Sequence, residues 1–179
     1  MSPAAARHTL RPATPADVPA ITAIYAHYVL THTATFELDP PDESEMRSRM
    51  NAIAAVQMPY WVAEDAGDVA GYCYVAPYRP RPAYRFTVEN SVYVAPGQVG
   101  RGVGTALLAK VIDECEPMGL REIVAVIGGS DNLRSIHLHR SAGFVDVGTL
   151  RNVGFKFDRW LDTVIMQHSL VGGAPDSSR

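Results

Sequence analysis

Apolar residues recur along this chain with two periods, and the switches between them lay out the elements. Residues 7–11 read as a short opening strand. Thr14-Pro15-Ala16-Asp17 then supplies an N-cap residue, a proline at the first helical position and an acid three places on, the signature of a helix start. Val18, Ile21, Tyr25 and Val29 follow at helical spacing and predict a helix over 15–31. A polar loop over 32–42 precedes a second helix over 43–57, stopped by Pro59. Tyr60–Glu64 and Val69–Ala76 read as strands joined by the hairpin turn Asp65-Ala66-Gly67-Asp68. A Pro/Arg-rich loop over 77–85 leads into a valine-rich strand, Phe86–Ala95. Val103, Leu107, Val111 and Cys115, widened by Leu108 and Ile112, form the stripe of a third helix that ends at Met118-Gly119. Glu122–Ile127 is a continuous apolar run suited to a buried central strand. Gly128-Gly129-Ser130-Asp131 turns into a helix over 132–141, and Val145–Val153 and Phe157–Leu170 read as the last strands. No repeat or linker divides the chain. One domain over 1–170 with a frayed tail over 171–179 is expected, an α/β sheet covered by helices.

Composition narrows the class. The chain has 179 residues, 16 basic and 19 acidic, for a net charge of −3. That balance argues against nucleic acid or a membrane surface as a general partner. An apolar share of 47% and a charged share of 20% exclude wholesale disorder. Cys73 and Cys115 are the only cysteines and form no CxxC pair, which excludes a disulfide scaffold and a cysteine-based zinc site. The opening MSPAAARHTLRPAT has no long apolar run, and no stretch is long enough to span a bilayer. A soluble, cytoplasmic protein is expected.

The most informative segment runs from Val92 to Gly104, where a strand passes through a glycine-rich turn into a helix. Such a turn presents backbone N–H groups at the positive end of a helix and suits a phosphate. Gly97 and Gly102 have P-loop spacing, but Val103-Gly104 follows where Lys and Ser/Thr are required. Gly100 and Gly102 begin a dinucleotide fingerprint, but Thr105 stands at its third glycine. The pyrophosphate loop of coenzyme A binding is the third device of this kind.

At this turn the chain resembles the GNAT family of N-acetyltransferases, whose signature is Gln/Arg-x-x-Gly-x-Gly/Ala after the fourth strand. Gly102 and Gly104 occupy the two small positions; Val99 stands where Gln or Arg is usual, with Arg101 the side chain placed to take over that contact. The resemblance covers about 7–170. It is nearest the phosphinothricin and methionine sulfoximine acetyltransferase branch, through Thr35-Phe36-Glu37, Tyr78-Arg79-Pro80, Thr87-Val88-Glu89-Asn90-Ser91-Val92-Tyr93-Val94, Ala125-Val126-Ile127, Leu138-His139 with Gly143-Phe144, and Lys156 to Asp162. It implies a mixed, mostly antiparallel sheet of about seven strands flanked by about four helices, with acetyl-CoA as co-substrate and no metal. It also implies a homodimer built around Lys156–Asp162 with Trp160.

Acetyl transfer to an amine needs a base for the ammonium proton, donors for the oxyanion, and a proton or other accommodation for the leaving thiolate. Glu89 lies in an apolar strand, on one face with Ser91 and Tyr93, and is the candidate base; the alternative is a structural partner for Arg79 or Arg85. His139 stands where the family often has the tyrosine that protonates the thiolate, and is the second catalytic candidate; the alternative is a capping or packing histidine. Asn132, Ser135 and His139 share a helical face that can line the coenzyme, whereas His137 points elsewhere, which argues against a His-x-His metal pair. The resemblance implies that Val92, Tyr93 and Val94 offer backbone groups to the thioester, and that Val99-Gly100-Arg101-Gly102-Val103-Gly104 cradles the pyrophosphate.

Arg79, Arg81 and Arg85, interleaved with Tyr78, Pro80 and Tyr84, form a basic loop just before Glu89. Arginine suits bidentate carboxylate or phosphinate recognition, so a small anionic amino acid with its α-amine toward Glu89 is the expected acceptor. Phe36, as an apolar wall, and Val88 and Asn90 beside Glu89 complete the expected substrate residues. A protein N-terminal acetyltransferase and a non-catalytic acyl-CoA sensor are the alternatives.

Overall fold

A computed structural model describes residues 8–170; the expected tail over 171–179 lies outside them. The strands are β1 (Thr9–Pro12), β2 (Tyr60–Asp65), β3 (Asp68–Pro77), β4 (Thr87–Val94), β5 (Glu122–Gly128), β6 (Val145–Lys156) and β7 (Arg159–Ser169). The helices are α1 (Val18–Thr31), α2 (Glu43–Ala55), α3 (Val103–Cys115) and α4 (Leu133–Ser141). One seven-stranded sheet runs in the order β1-β2-β3-β4-β5-β7-β6. Every neighbouring pair is antiparallel except β4 and β5, which run parallel. Among the described residues no helix is long and apolar enough to cross a membrane.

Two apolar cores lie on opposite faces of this sheet. On one, Leu107, Leu108 and Val111 of α3 pack on Val75, Val88, Ile123 and Met166. On the other, Ile21, Tyr25 and Val29 of α1 and Met46 and Met50 of α2 cover Val62 and Tyr72, with Tyr93 at the margin. Since side chains alternate along a strand, Val88 and Asn90 face the α3 side, and Glu89, Ser91 and Tyr93 face the α1–α2 side.

Several boundaries differ from the sequence expectation, each for a local reason. The helix expected over 15–31 is a 3-10 turn at Pro15–Asp17 followed by α1 from Val18. Pro19 has no N–H to reach back to Pro15, so the α-helical ladder cannot include the first turn. The second helix stops at Ala55, earlier than expected. Gln57 is left-handed (φ 56) and Met58 N–H bonds back to Ile53 O at 3.2 Å, a Schellman-type ending. The last two strands turn at Phe157-Asp158 (φ 52 and 57), so Phe157 is not part of the final strand. The backbone is that of a type I′ hairpin without its usual Asn-Gly. The turn at Ala66-Gly67 (φ 53 and 94) matches its expectation.

The α1 entrance is tied to the sheet edge by charge. Arg11 of β1 donates to both oxygens of the buried Asp17 at 2.8 and 2.7 Å and to Glu64 at 2.9 Å. Thr14 donates both its N–H and its hydroxyl to the same Asp17 carboxylate, the N–H bond being the reach-back half of a capping box. The Arg11 hydrogen bonds hold the Asp17 carboxyl below the usual carboxylate range against the opposing effect of burial. Asp17→Ala is expected to cost about 2 kcal/mol in urea unfolding, less than a fully buried pair because the Arg11 end is open to solvent. A depressed carboxyl stabilises above its unfolded value of about 3.9 and loses that contribution as pH falls through its lower folded value, so the parent and the variant converge in strong acid.

Candidate active site

The parallel pairing of β4 with β5 covers Thr87–Asn90 against Glu122–Ala125 and then stops. Beyond it the strands diverge around a cleft of about 1510 Å³, lined on one wall by Ser91 to Val94 and on the other by Val126 to Gly128. Val126, in a strand that reads as fully buried, is 41% exposed because it forms this wall. Thr87 O accepts from Tyr78 N–H and Ala95 N–H donates to Ala70 O, both of the β3 side. Odd-numbered residues of β4 therefore serve β3, and the N–H groups of Val92 and Val94 face the cleft. The Tyr28 hydroxyl donates to Val94 O at 2.6 Å, satisfying that carbonyl and leaving the adjacent donor free.

The glycine turn closes one end of the cleft. Gly100 and Gly102 have φ of 82 and 84, and a Cβ on either would meet nothing within 4 Å. Open space and left-handed backbone together make these glycines conformational requirements rather than packing ones. Gly102 caps α3, whose first N–H groups have no intrahelical partners. Gly71 on β3 brings this turn close: a Cβ there would lie 2.8 Å from Tyr93 O and 3.0 Å from Val103 Cγ1. Arg101 does not face the cleft as expected. It bonds Gln98 at 3.1 Å and pairs with Asp65 at 3.6 Å, on the β2–β3 hairpin. Val99 and Thr105 line the cleft in its place.

Glu89 and His139 stand on opposite faces of β4. Burial raises the Glu89 carboxyl above its ordinary value, opposed by the charge of Arg79. His139 is 3% exposed, with Nδ1 at 2.8 Å from Ser135 O and Nε2 at 2.9 Å from Asn90 Nδ2. Burial lowers its pKa. Asn132, Ser135 and His139 line the cleft as expected, but both imidazole nitrogens of His139 are already engaged, which fits the packing alternative better than the proton donor. Asn132 caps α4, accepting from Ser135 N–H at 3.3 Å, so its side chain serves the helix as well as lining the cleft.

The basic loop is partly self-contained. Arg85 lies over Phe86 at 4.3 Å, Arg79 over Tyr78 at 5.0 Å, and Tyr78 meets Tyr84 edge-on at 5.7 Å. Pro80 is exposed, and Arg81 precedes the short 3-10 turn Pro82–Tyr84. Among the three arginines, only Arg79 contributes to the Glu89 shift. Val88 is buried in the α3 core and cannot touch a substrate, contrary to expectation. Phe36 is wedged between strands: a Cβ on Gly154 would approach its ring to 2.3 Å, and one on Gly128 to 3.0 Å. Its loop is pinned by Tyr25 on Thr35 and Glu37, by Arg49 on Glu37 at 2.6 Å, and by the buried Lys156, which donates to Thr35 O at 2.8 Å. Among the described residues no cluster of three His, Cys, Asp or Glu could hold a metal ion.

The Acetyltransferase (GNAT) family pattern matches residues 21–144. The chain belongs to this family. Across 157 residues it is 53% identical to the phosphinothricin N-acetyltransferase of Alcaligenes faecalis, covering 88% of this chain and 80% of that one. It is 42% identical to the L-methionine sulfoximine/L-methionine sulfone acetyltransferase of Salmonella typhimurium, covering 94% and 99%. The crystal structure of a phosphinothricin acetyltransferase from Sinorhizobium meliloti in complex with AcCoA superposes with a TM-score of 0.89 at 43% identity, covering 96% of this chain and 97% of that one. The expected fold, seven mixed strands with four helices, is the one observed.

As a GNAT N-acetyltransferase, the protein has cleft residues that sequence reasoning passed over. Tyr28 sits one place off the α1 apolar stripe, and its partner, a carbonyl, leaves no mark in a sequence. Thr105 counted only as a break in the dinucleotide fingerprint. Gly102→Ala is expected to lower stability by about 1–2 kcal/mol, the cost of a left-handed non-glycine residue. Gly97→Ala, also in open space but without left-handed backbone, should change it by less than about 0.5 kcal/mol in the same urea titration.

Proposed function

We propose that this GNAT enzyme transfers the acetyl group of acetyl-CoA to the α-amine of a small anionic amino acid of the phosphinothricin or methionine sulfoximine/sulfone type. The observation that carries the reading is the divergence of β4 and β5, which frees two backbone donors between a glycine turn and a half-buried carboxylate. The cleft fits acetyl-CoA: it is long, its glycine turn is unobstructed, and helix N–H groups point to where a pyrophosphate would lie. When bound, acetyl-CoA supplies an activated acetyl thioester. The glycine turn from Val99 to Gly104 and the first turn of α3 hold the diphosphate. Val92 and Val94 N–H align the arm, and one of them donates to the acetyl oxygen as charge develops there. Tyr93 holds the strand by packing on Tyr25, Tyr28 and Tyr72.

Glu89 takes the ammonium proton, directly or through a water; the neutral amine then forms the C–N bond as the thioester C–S bond breaks, and the departing thiolate takes up the second proton of the attacking nitrogen. Its raised pKa makes it a better base near neutrality than an ordinary carboxylate. Arg79, beyond Glu89, holds the acceptor's anionic group, and Phe36 walls its side chain. The 53% and 42% identities to enzymes named for these acceptors support the substrate class.

The test is thiol release from acetyl-CoA with phosphinothricin, methionine sulfoximine, methionine sulfone and a short peptide as acceptors. Turnover of the first three but not the peptide supports the reading, and peptide turnover alone overturns it. Glu89→Gln should lower kcat by about 10²–10³-fold, the scale of a lost base. In the parent, activity should fall as pH drops through the raised Glu89 pKa, because only the carboxylate accepts a proton; the variant should lack that limb.

We also propose a homodimer through the β6–β7 hairpin. Val145 (65%), Phe155 and Trp160 (64%) are exposed on this hairpin, with the Phe155 and Trp160 rings edge-on at 5.2 Å, and β6 is an edge strand of the sheet. Trp160→Asp should shift the sedimenting species from dimer to monomer.

A further inference from the structure

The His139–Asn90 contact has a directional logic that the proposed reaction leaves unused. Ser135 O is a carbonyl and can only accept, so His139 Nδ1, 2.8 Å away, carries the ring proton. Nε2 of the neutral ring is then an acceptor, and at 2.9 Å it takes a proton of Asn90 Nδ2. The tautomer thereby sets the amide: Nδ2 toward the histidine, Oδ1 away from it. Asn90 is 6% exposed, and its Oδ1 is a fully buried acceptor without a partner, which a folded protein seldom tolerates unless a ligand completes it. The residue forms the last rung of the β4–β5 pairing, opposite Ala125, at the vertex of the cleft that it also lines.

We propose that Asn90 Oδ1 accepts a hydrogen bond from an amide N–H of the pantetheine arm, and that His139 is a positioning residue that holds Asn90 for it. This rests on the reading of the cleft as the acetyl-CoA site. The arm, rather than the acceptor amine, is the donor because of the sheet's two faces. Asn90 projects to the face of α3 and α4 and lines the cleft, whereas Glu89 projects to the other face and is not part of the cleft's lining. The rival role for His139, a general acid toward the leaving thiolate, needs a proton on a nitrogen that faces the cleft. The only ring proton is committed to Ser135 O, and the other nitrogen is covered by Asn90. Phe144, edge-on at 5.0 Å, packs against the ring. Burial keeps the imidazole neutral.

The experiment measures calorimetric binding of free CoA, whose arm has the same amides, alongside steady-state kinetics. In Asn90→Ala, Kd for CoA and KM for acetyl-CoA should rise about tenfold, one lost buried hydrogen bond, with KM for the acceptor within about twofold. His139→Phe should act in the same direction and add little to Asn90→Ala in the double variant, because both remove the same contact. His139→Gln, whose amide oxygen can accept from Asn90, should recover most of the binding, and every His139 variant should keep the parent's pH profile. A parent that binds CoA while Asn90→Ala binds it equally well overturns the inference. So does an increase confined to the acceptor KM, which would make the amine the donor. Equal loss of kcat in His139→Phe and His139→Gln, with loss of the alkaline limb, would restore the general acid. A parent that fails to bind CoA overturns the reading of the cleft itself. Circular dichroism melts identify a variant that is merely unfolded, and His139→Gln, the smaller perturbation, then carries the test.

Discussion

Parallel strands β4 and β5 hold register for four residue pairs, and the backbone groups released beyond Asn90 and Ala125 must find other partners. In a closed sheet those groups would be consumed by the ladder, and an unpaired N–H away from water is costly. Here the released edge becomes the wall of a cleft. Tyr28 satisfies the Val94 carbonyl, and the amides of Val92 and Val94 are left facing the gap. The glycine turn, the α3 N-terminus and α4 are arranged around that opening, so a protein with ordinary α/β packing acquires a long slot with donors at its centre.

The same strand separates two environments by alternation. Even-numbered residues of β4 look toward the α3–α4 side, where Val88 is core and Asn90 meets His139. Odd-numbered residues look toward α1 and α2, where Glu89 loses solvation and its carboxyl rises. A base beside the acceptor and an acid beside the thiolate would be an economical arrangement, but the sheet places Glu89 and His139 on different sides. The histidine is instead bonded at both nitrogens inside the protein. In the proposed reading, the two residues act on different ligands: Glu89 on the amine, and His139, through Asn90, on the acyl donor.

The acceptor side is built from long-range ties rather than from one loop. Phe36 is held where a glycine at 128 and another at 154 leave room for its ring. Its loop is fixed by Tyr25, by Arg49 of α2 and by Lys156 at the end of β6. The β6–β7 hairpin thus has two consequences, an exposed apolar edge and a buried lysine reaching back to the loop after α1. A change at Lys156 would reach the acceptor pocket through Thr35 without touching an acceptor.

Hydrophobic periodicity determined the helices and strands, because 3.6- and 2-residue repeats are local properties of a chain that must bury one face. The errors were local too: Pro19 delays α1, and Phe157-Asp158 form a tight turn without the glycine that usually marks one. The glycine turn and the run from Thr87 to Val94 carried the family and the candidate base, since left-handed backbone demands glycine and a carboxylate in an apolar strand stands out. What tertiary structure alone decided was direction. Arg101 turns to Gln98 and Asp65, Val88 is sealed beneath α3, and Tyr28 reaches a carbonyl 66 residues away. His139, at the expected place in its helix and in the cleft wall, has both ring nitrogens committed to Ser135 and Asn90. Residue type and spacing state which groups are available; only the packing of distant segments states which of their atoms remain free.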